Sequence, residues 1–437
     1  MSRTTREALR GLTPRGRAFL GGGVVAFAVA VLVGQRDLLR VGVLLTALPL
    51  MSAWVVARGR YRLSCSRQVE PGRVSAGQDA QVVLRLDNLS RLPTGLLLVE
   101  DRVPYVLGAR PRFVLDRVEP RGRRVVTYPV RSDARGRFAL GPLSLRLTDP
   151  FGLCQLRRSF TAQDVLTVTP VVRPLPAVHL GGEWSGSGES RSRSLAAAGE
   201  DDVATREYHH GDPLHRVHWR STARYGELMV RREEQPWQSR ATLLLDTRSG
   251  AHRGDGPASS FEWAISAGAS LGVHLARTGY AVRLITDTGA SVSSAAHDPD
   301  GVGGDFEGLL LDALAVVAPS GGAGLRQVGP QLRRGGDTLL VAVLGAIDLD
   351  QAADLTRLHH APATAVAVLL DVASWTAPPT RVAAEAARTV EASATLLSRA
   401  GWRVVRARAG EDLAALWPRA GSGMRALDLS GTARARP

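Results

Sequence analysis

The chain has 437 residues, enough for two or three domains, and 44% of them are apolar, which suits packed cores and excludes a disordered chain. Its formal charge is +14, from 55 basic and 41 acidic residues, yet every basic residue is arginine. That bias points to a GC-rich coding sequence at least as much as to guanidinium chemistry, and no basic stripe with interleaved aromatics accompanies it, so nucleic acid is not expected as a partner. Two cysteines, Cys65 and Cys154, exclude a disulfide scaffold and a four-cysteine zinc site.

Taken in chain order, residues 1–60 hold a basic segment and two charge-free apolar runs, 18–34 and 41–57, joined by the polar loop QRDLLR. Each run reaches about 26 Å as a helix, a little short of a hydrocarbon core of ~30 Å. Arg3, Arg6, Arg10, Arg15 and Arg17 precede the first run, and Arg58, Arg60, Arg62 and Arg67 follow the second. Both flanks therefore satisfy the positive-inside rule as cytoplasmic, and the pair is predicted to form a two-helix hairpin in the cell membrane with both termini in the cytoplasm.

From 61 to 175 the apolar period becomes two. Ala80, Val82, Leu84 and Leu86 alternate with Gln81, Arg85 and Asp87, and Leu143, Leu145 and Leu147 with Ser144, Arg146 and Thr148. Turn signals recur between these short runs, which predicts an immunoglobulin-like β-sandwich. Residues 176–240 connect it to a third region and contain a dense mixture of charge and aromatics. There Arg206, Glu207, Tyr208, Gly211, Asp212, Arg216, Trp219 and Arg224 are the candidate binding residues. Guanidinium–carboxylate forks and cation–π stacking on Trp219 are the chemistry those types support. Residues 218–232 predict a short helix and then a strand, broken at Gly226.

Between 241 and 420, near-continuous apolar runs at 241–246, 280–286, 338–345, 363–371 and 402–407 alternate with helical stretches, the pattern of a doubly wound parallel sheet. Ser259 and Glu262 form a capping box before an apolar stripe of Phe261, Ala264, Ile265, Gly268, Leu271 and Leu275. The segment 288–305 is expected to be a mobile loop and 421–437 a disordered tail.

The ordered motifs R-G-R-F-x-L-G-P-L from Arg135, D-P-F-G-L from Asp149 and R-E-Y-x-x-G-D-x-x-x-R-x-x-W-R-x-x-A-R from Arg206 resemble the family catalogued as domain of unknown function 58. The resemblance implies a membrane-tethered relative of von Willebrand factor A (vWA) proteins. It also implies a MoxR-type AAA ATPase as partner and, in many cases, a transglutaminase-like membrane protein. In vWA domains the first strand ends in D-x-S-x-S, which helps hold a divalent cation. This chain has Asp246-Thr247-Arg248-Ser249-Gly250 there, so Asp246 is the metal candidate, with Asp287 behind it, and Arg248 is positioned to neutralise Asp246 instead.

No G-x-S-x-G, H-E-x-x-H or Cys–His pair is present, and no dinucleotide or phosphate-binding loop follows the first strand, so neither catalytic residues nor a cofactor are expected. The favoured reading is a scaffold or adaptor that is not an enzyme. Its 206–224 motif is either a docking surface or a buried clamp between domains. The alternative is a metal-dependent hydrolase using the histidines His209, His210, His215 and His218 with Glu207 or Asp212.

Overall fold

A computed structural model describes residues 11–58, 63–91, 93–149, 151–178, 180, 205–208, 217–231, 239–293, 306–322, 324–333, 338–358, 364–376 and 378–421. The chain falls into two compact units, Met1–Val171 with Leu311–Val317, and Val172–Leu310 with Ala318–Pro437.

The first unit opens with helices Pro14–Val33 and Arg36–Arg58. Thr13 caps the first helix by accepting from Gly16 N–H, Pro14 supplies a preset φ at its first position, and Gly34 ends it in the left-handed region. The predicted loop 35–40 is mostly helical, because Asp37 and Arg40 pair one turn apart at 3.1 Å and the intervening leucines favour helix. With 20 and 23 residues, charged ends included, the helices reach about 30 and 34 Å. Both are long and apolar enough to cross a membrane. Their seam is built from small residues: a Cβ on Gly23 would lie 2.7 Å from Thr46 Cγ2, and one on Gly42 2.7 Å from Phe27 N. Away from the seam Phe19, Val24, Val25, Val31 and Leu32 are exposed.

Among the described residues ten strands follow: β1 (Leu63–Glu70), β2 (Arg73–Ser75), β3 (Asp79–Asn88), β4 (Leu96–Asp101), β5 (Arg112–Leu115), β6 (Arg123–Arg131), β7 (Gly136–Leu140), β8 (Leu143–Thr148), β9 (Gln155–Phe160) and β10 (Asp164–Thr169). They form sheets ordered β1-β3-β6, β2-β10-β7 and β5-β4-β8-β9. The period-two pattern puts Ala80, Val82, Leu84 and Leu86 of β3 inward, against Val99, Leu140, Leu143, Leu145 and Leu166. One ionic centre lies beside this core. Arg67 of β1 donates to both oxygens of Asp101 on β4 at 3.0 and 2.6 Å, and Tyr128 of β6 donates to Asp101 Oδ2 at 2.6 Å. Arg67 also reaches Leu140 O at 3.0 Å, so the network joins all three sheets. Arg67 is thus a buried fastener rather than a membrane-flanking charge.

In the second unit β11 (Thr205–Glu207) pairs with β12 (Met229–Arg231), and a larger sheet is built from β13 (Arg240–Leu245), β14 (Ala281–Thr286), β15 (Ser291–Ser293), β16 (Leu339–Leu344), β17 (Thr364–Leu370) and β18 (Arg403–Ala407). Its order is β15-β14-β13-β16-β17-β18, parallel except for the edge strand β15. Helix Ser260–Arg277 covers one face, with Gly268 and Gly272 against Leu245 and Leu243. Helices Leu349–Leu358 and Thr380–Arg399 cover the other, where Ala352, Leu355 and Leu397 pack with Leu244, Ala342 and Ala367. Burial on both faces is why these strands are apolar throughout. Ser259 caps the first of these helices, its side chain accepting from Glu262 N–H at 3.3 Å. The strand β15 occupies the start of the expected 288–305 loop, after a turn at Gly289 with φ +85°. Residues 294–305 and 422–437 lie outside the described residues.

Candidate functional site

Two places gather the candidate residues, and the first is the charged motif. Tyr208 N–H donates to Leu228 O at 2.8 Å and His218 N–H to Met229 O at 2.8 Å, which holds both described stretches of the motif against residues 228–229 at the start of β12. Between them helix Trp219–Tyr225 ends at Gly226, whose φ of 76° is the predicted break. His218 caps this helix, its Nδ1 accepting from Ser221 N–H at 3.3 Å and lying 2.8 Å from Ser221 Oγ. A local structural role therefore accounts for that imidazole. Trp219 is 68% exposed and Tyr225 64% exposed, and the Arg224 guanidinium lies 6.0 Å from the Tyr225 ring centroid. The cation–π partner of Arg224 is thus Tyr225 rather than Trp219. Glu207 is exposed and Tyr208 half-buried. Arg206 belongs to β11, its side chain outside the described part, and Gly211, Asp212, Arg216, His209, His210 and His215 lie outside the described residues. The forks expected among them are therefore outside it too.

The second place is the carboxyl edge of the large sheet, where the strand order reverses between β13 and β16 and where ligands of such sheets bind. Asp246 follows β13 and is fully buried. Arg248 folds back on it as a two-pronged fork, Nε to Oδ1 at 2.8 Å and Nη2 to Oδ2 at 2.7 Å. The amides of Arg248 and Gly345 also donate to the carboxylate at 3.1 Å each. Burial pulls the Arg248 guanidinium down, but the hydrogen bonds and charge of Asp246 outweigh this and hold it above its ordinary value. Gly345 is required here, since a Cβ would stand 2.3 Å from Ala251 O. Asp287, after β14, accepts from Thr247 N–H at 2.7 Å, from the Thr247 hydroxyl, and from Ser320 Oγ at 2.6 Å.

Behind Asp246, His252 Nε2 donates to Asp246 O at 2.9 Å and Nδ1 faces Ser260 Oγ at 3.3 Å. Burial holds its pKa below the ordinary imidazole value, so it is neutral at pH 7. Each carboxylate oxygen at this edge already has donors, and the cationic partner of Asp246 is the chain's own guanidinium. The residues present do not fit a divalent cation. Among the described residues no group of three or more His, Cys, Asp or Glu side chains is placed to hold one.

Sequence reasoning missed the Arg67–Asp101–Tyr128 centre. Nothing in the spacing of three residues from three strands could have revealed it.

Among solved structures, the CARDB domain of the PF1109 protein of Pyrococcus furiosus, in complex with di-metal ions, is 13% identical and is matched over 25% of this chain and 93% of that one, with a TM-score of 0.19. The C-terminal domain of Wzt is 12% identical over 30% of this chain and 86% of that one, with a TM-score of 0.20. Among curated proteins none matches. The family comparison is the informative one, because it falls on the motif and on the sheet edge together. Residues 204–373 match the family described as protein of unknown function DUF58, and it is this family that the chain resembles.

Proposed function

We propose that the chain is a membrane-anchored adaptor, not an enzyme, that binds a cytosolic protein through the exposed face of helix Trp219–Tyr225. In this reading the helix pair spans the cell membrane twice with both termini in the cytoplasm, the β region is an immunoglobulin-like sandwich, and the large sheet is a vWA-like domain whose cation position is filled by Arg248. The partner that the resemblance implies is a MoxR-type AAA ATPase, with a transglutaminase-like membrane protein as a second component of an envelope-associated assembly.

The observation that carries the proposal is the patch of Trp219, Tyr225 and Arg224, two uncovered aromatics and a guanidinium within the matched region. These three residue types dominate the energetic centres of protein interfaces. The strand order of the large sheet supports the vWA-like assignment, as does Asp246 at the end of its first parallel strand.

The test is purification of the full-length chain in mild detergent from its native cells with ATP present, followed by mass spectrometry. A stoichiometric AAA ATPase that is lost with Trp219→Ala supports the proposal. A chain that emerges alone with about one equivalent of bound metal overturns it.

A further inference from the structure

The D-P-F-G-L motif has no part in either site, yet it is bound tightly at one place. Asp149 folds the segment into a turn: its Oδ1 accepts from Cys154 N–H at 2.6 Å and its Oδ2 from Phe151 N–H at 3.2 Å, while Gly152 takes the left-handed conformation at φ +69°. The turn rests on the start of the first apolar helix. Thr13 N–H donates to Leu153 O at 3.0 Å, Thr13 Oγ1 to Gly152 O at 2.8 Å, and Gln155 N–H to Gly11 O at 2.7 Å. Gly16 makes room for it, since a Cβ there would lie 2.2 Å from Leu153 O. Ala53, near the end of the second helix, packs against Cys154 and Leu156. The turn is therefore seated on both helices at the end where the chain enters and leaves the hairpin.

Phe151 is nevertheless 59% exposed, and Arg15 and Arg17 on the first helical turn are exposed as well. One Cα step of about 3.8 Å separates Phe151 from Gly152, which touches the helix cap. If the helices span a bilayer, that cap lies at the headgroup level, where an apolar side chain can insert at the acyl boundary and arginines meet anionic lipid. We propose that Phe151 is an interface anchor inserted among lipid headgroups, so that the turn holds the β region against the bilayer surface. This rests on the membrane reading of the helix pair, and the partner is an anionic lipid surface.

The test uses the full-length chain in vesicles of phosphatidylcholine and phosphatidylglycerol, with a nitroxide on Phe151→Cys, on Val29→Cys within the apolar run of the first helix, or on Arg110→Cys in the β region. Collision rates with oxygen and with a water-soluble nickel complex are compared. Cys154 is buried and burial pushes the Cys65 thiol up to about 11, so unmodified protein serves as the labelling blank. The expected result is an oxygen-to-nickel ratio at 151 several-fold above that at 110, in the direction of position 29. A ratio at 151 equal to that at 110, with 29 lipid-exposed, overturns the anchor and leaves the membrane reading standing. Water-like values at 29 as well overturn both.

Discussion

Each unit of this protein buries an arginine–aspartate fork, and the two are built in opposite ways. Arg67 and Asp101 are 34 residues apart and belong to different sheets, with Tyr128 of a third strand closing the network. Asp246 and Arg248 are two residues apart in one loop at the end of one strand. The first fork exists only when two sheets have met, and the Arg67 bond to Leu140 O ties in the third, so it fastens the fold. The second forms from local chain geometry and leaves the surrounding loops to present whatever the sheet edge displays. Similar chemistry therefore serves long-range cohesion in one unit and local charge neutralisation in the other. A buried pair by itself does not reveal which, because its net contribution can be small while the loss of one partner is severe.

The largest expected effect comes from Asp101→Ala. It leaves Arg67, whose side chain is 4% exposed, with only the longer contact to Asp164 at 3.3 Å as an ionic partner and strips the Tyr128 hydroxyl of its acceptor, at a cost of about 3–5 kcal/mol in urea unfolding of the first unit. Arg248→Ala should cost about 3 kcal/mol by leaving the Asp246 carboxylate buried with only two backbone amides. The comparison sharpens in the double variant: Asp246→Ala with Arg248→Ala should recover more than half of that loss, because no lone charge remains. The same rescue should be smaller for Arg67 with Asp101, where Tyr128 and the Leu140 carbonyl still lose a partner.

Gly345→Ala places a methyl group against the Ala251 backbone, where neither side can yield easily, and should lower stability by about 1–3 kcal/mol in the same assay. The smallest effect is that of pH. His252 is held below its ordinary pKa of 6.5, so the unfolded chain binds the proton first. Stability of the second unit is then complete above pH 6.5 and falls as pH drops below it, by at most about 1.4 kcal/mol per pH unit for this group. His252→Gln should flatten that part of the melting-temperature profile, and an unchanged slope would show that the buried imidazole is not its source.

How much of this was legible in the sequence follows from the same contrast. Elements set by local pattern could be read directly. The strands at 241–246 and 402–407 lie within a residue of their structural bounds, the Ser259 cap and Gly226 break are where turn and helix chemistry put them, and the neutralisation of Asp246 by Arg248 follows from their spacing. Features set by tertiary assembly could not. Arg67 has the sequence context of a membrane-flanking charge, yet a partner 34 residues away draws it inside. The helical start at Arg36 was obscured because its polar residues resemble a loop until the Asp37–Arg40 pair is seen. Exposure of Trp219 is likewise invisible to composition, and the motif's residue types suit a buried clamp as well as a docking face.

The most direct measurement is a titration of a purified MoxR-type ATPase, the proposed partner, onto the full-length chain in lipid nanodiscs, with the chain first treated with chelator and desalted. Saturable binding should survive the treatment and weaken at least about tenfold in Trp219→Ala. Binding that disappears on chelation, or that is equally tight without the Trp219 side chain, would contradict a metal-free docking face on the Trp219–Tyr225 helix.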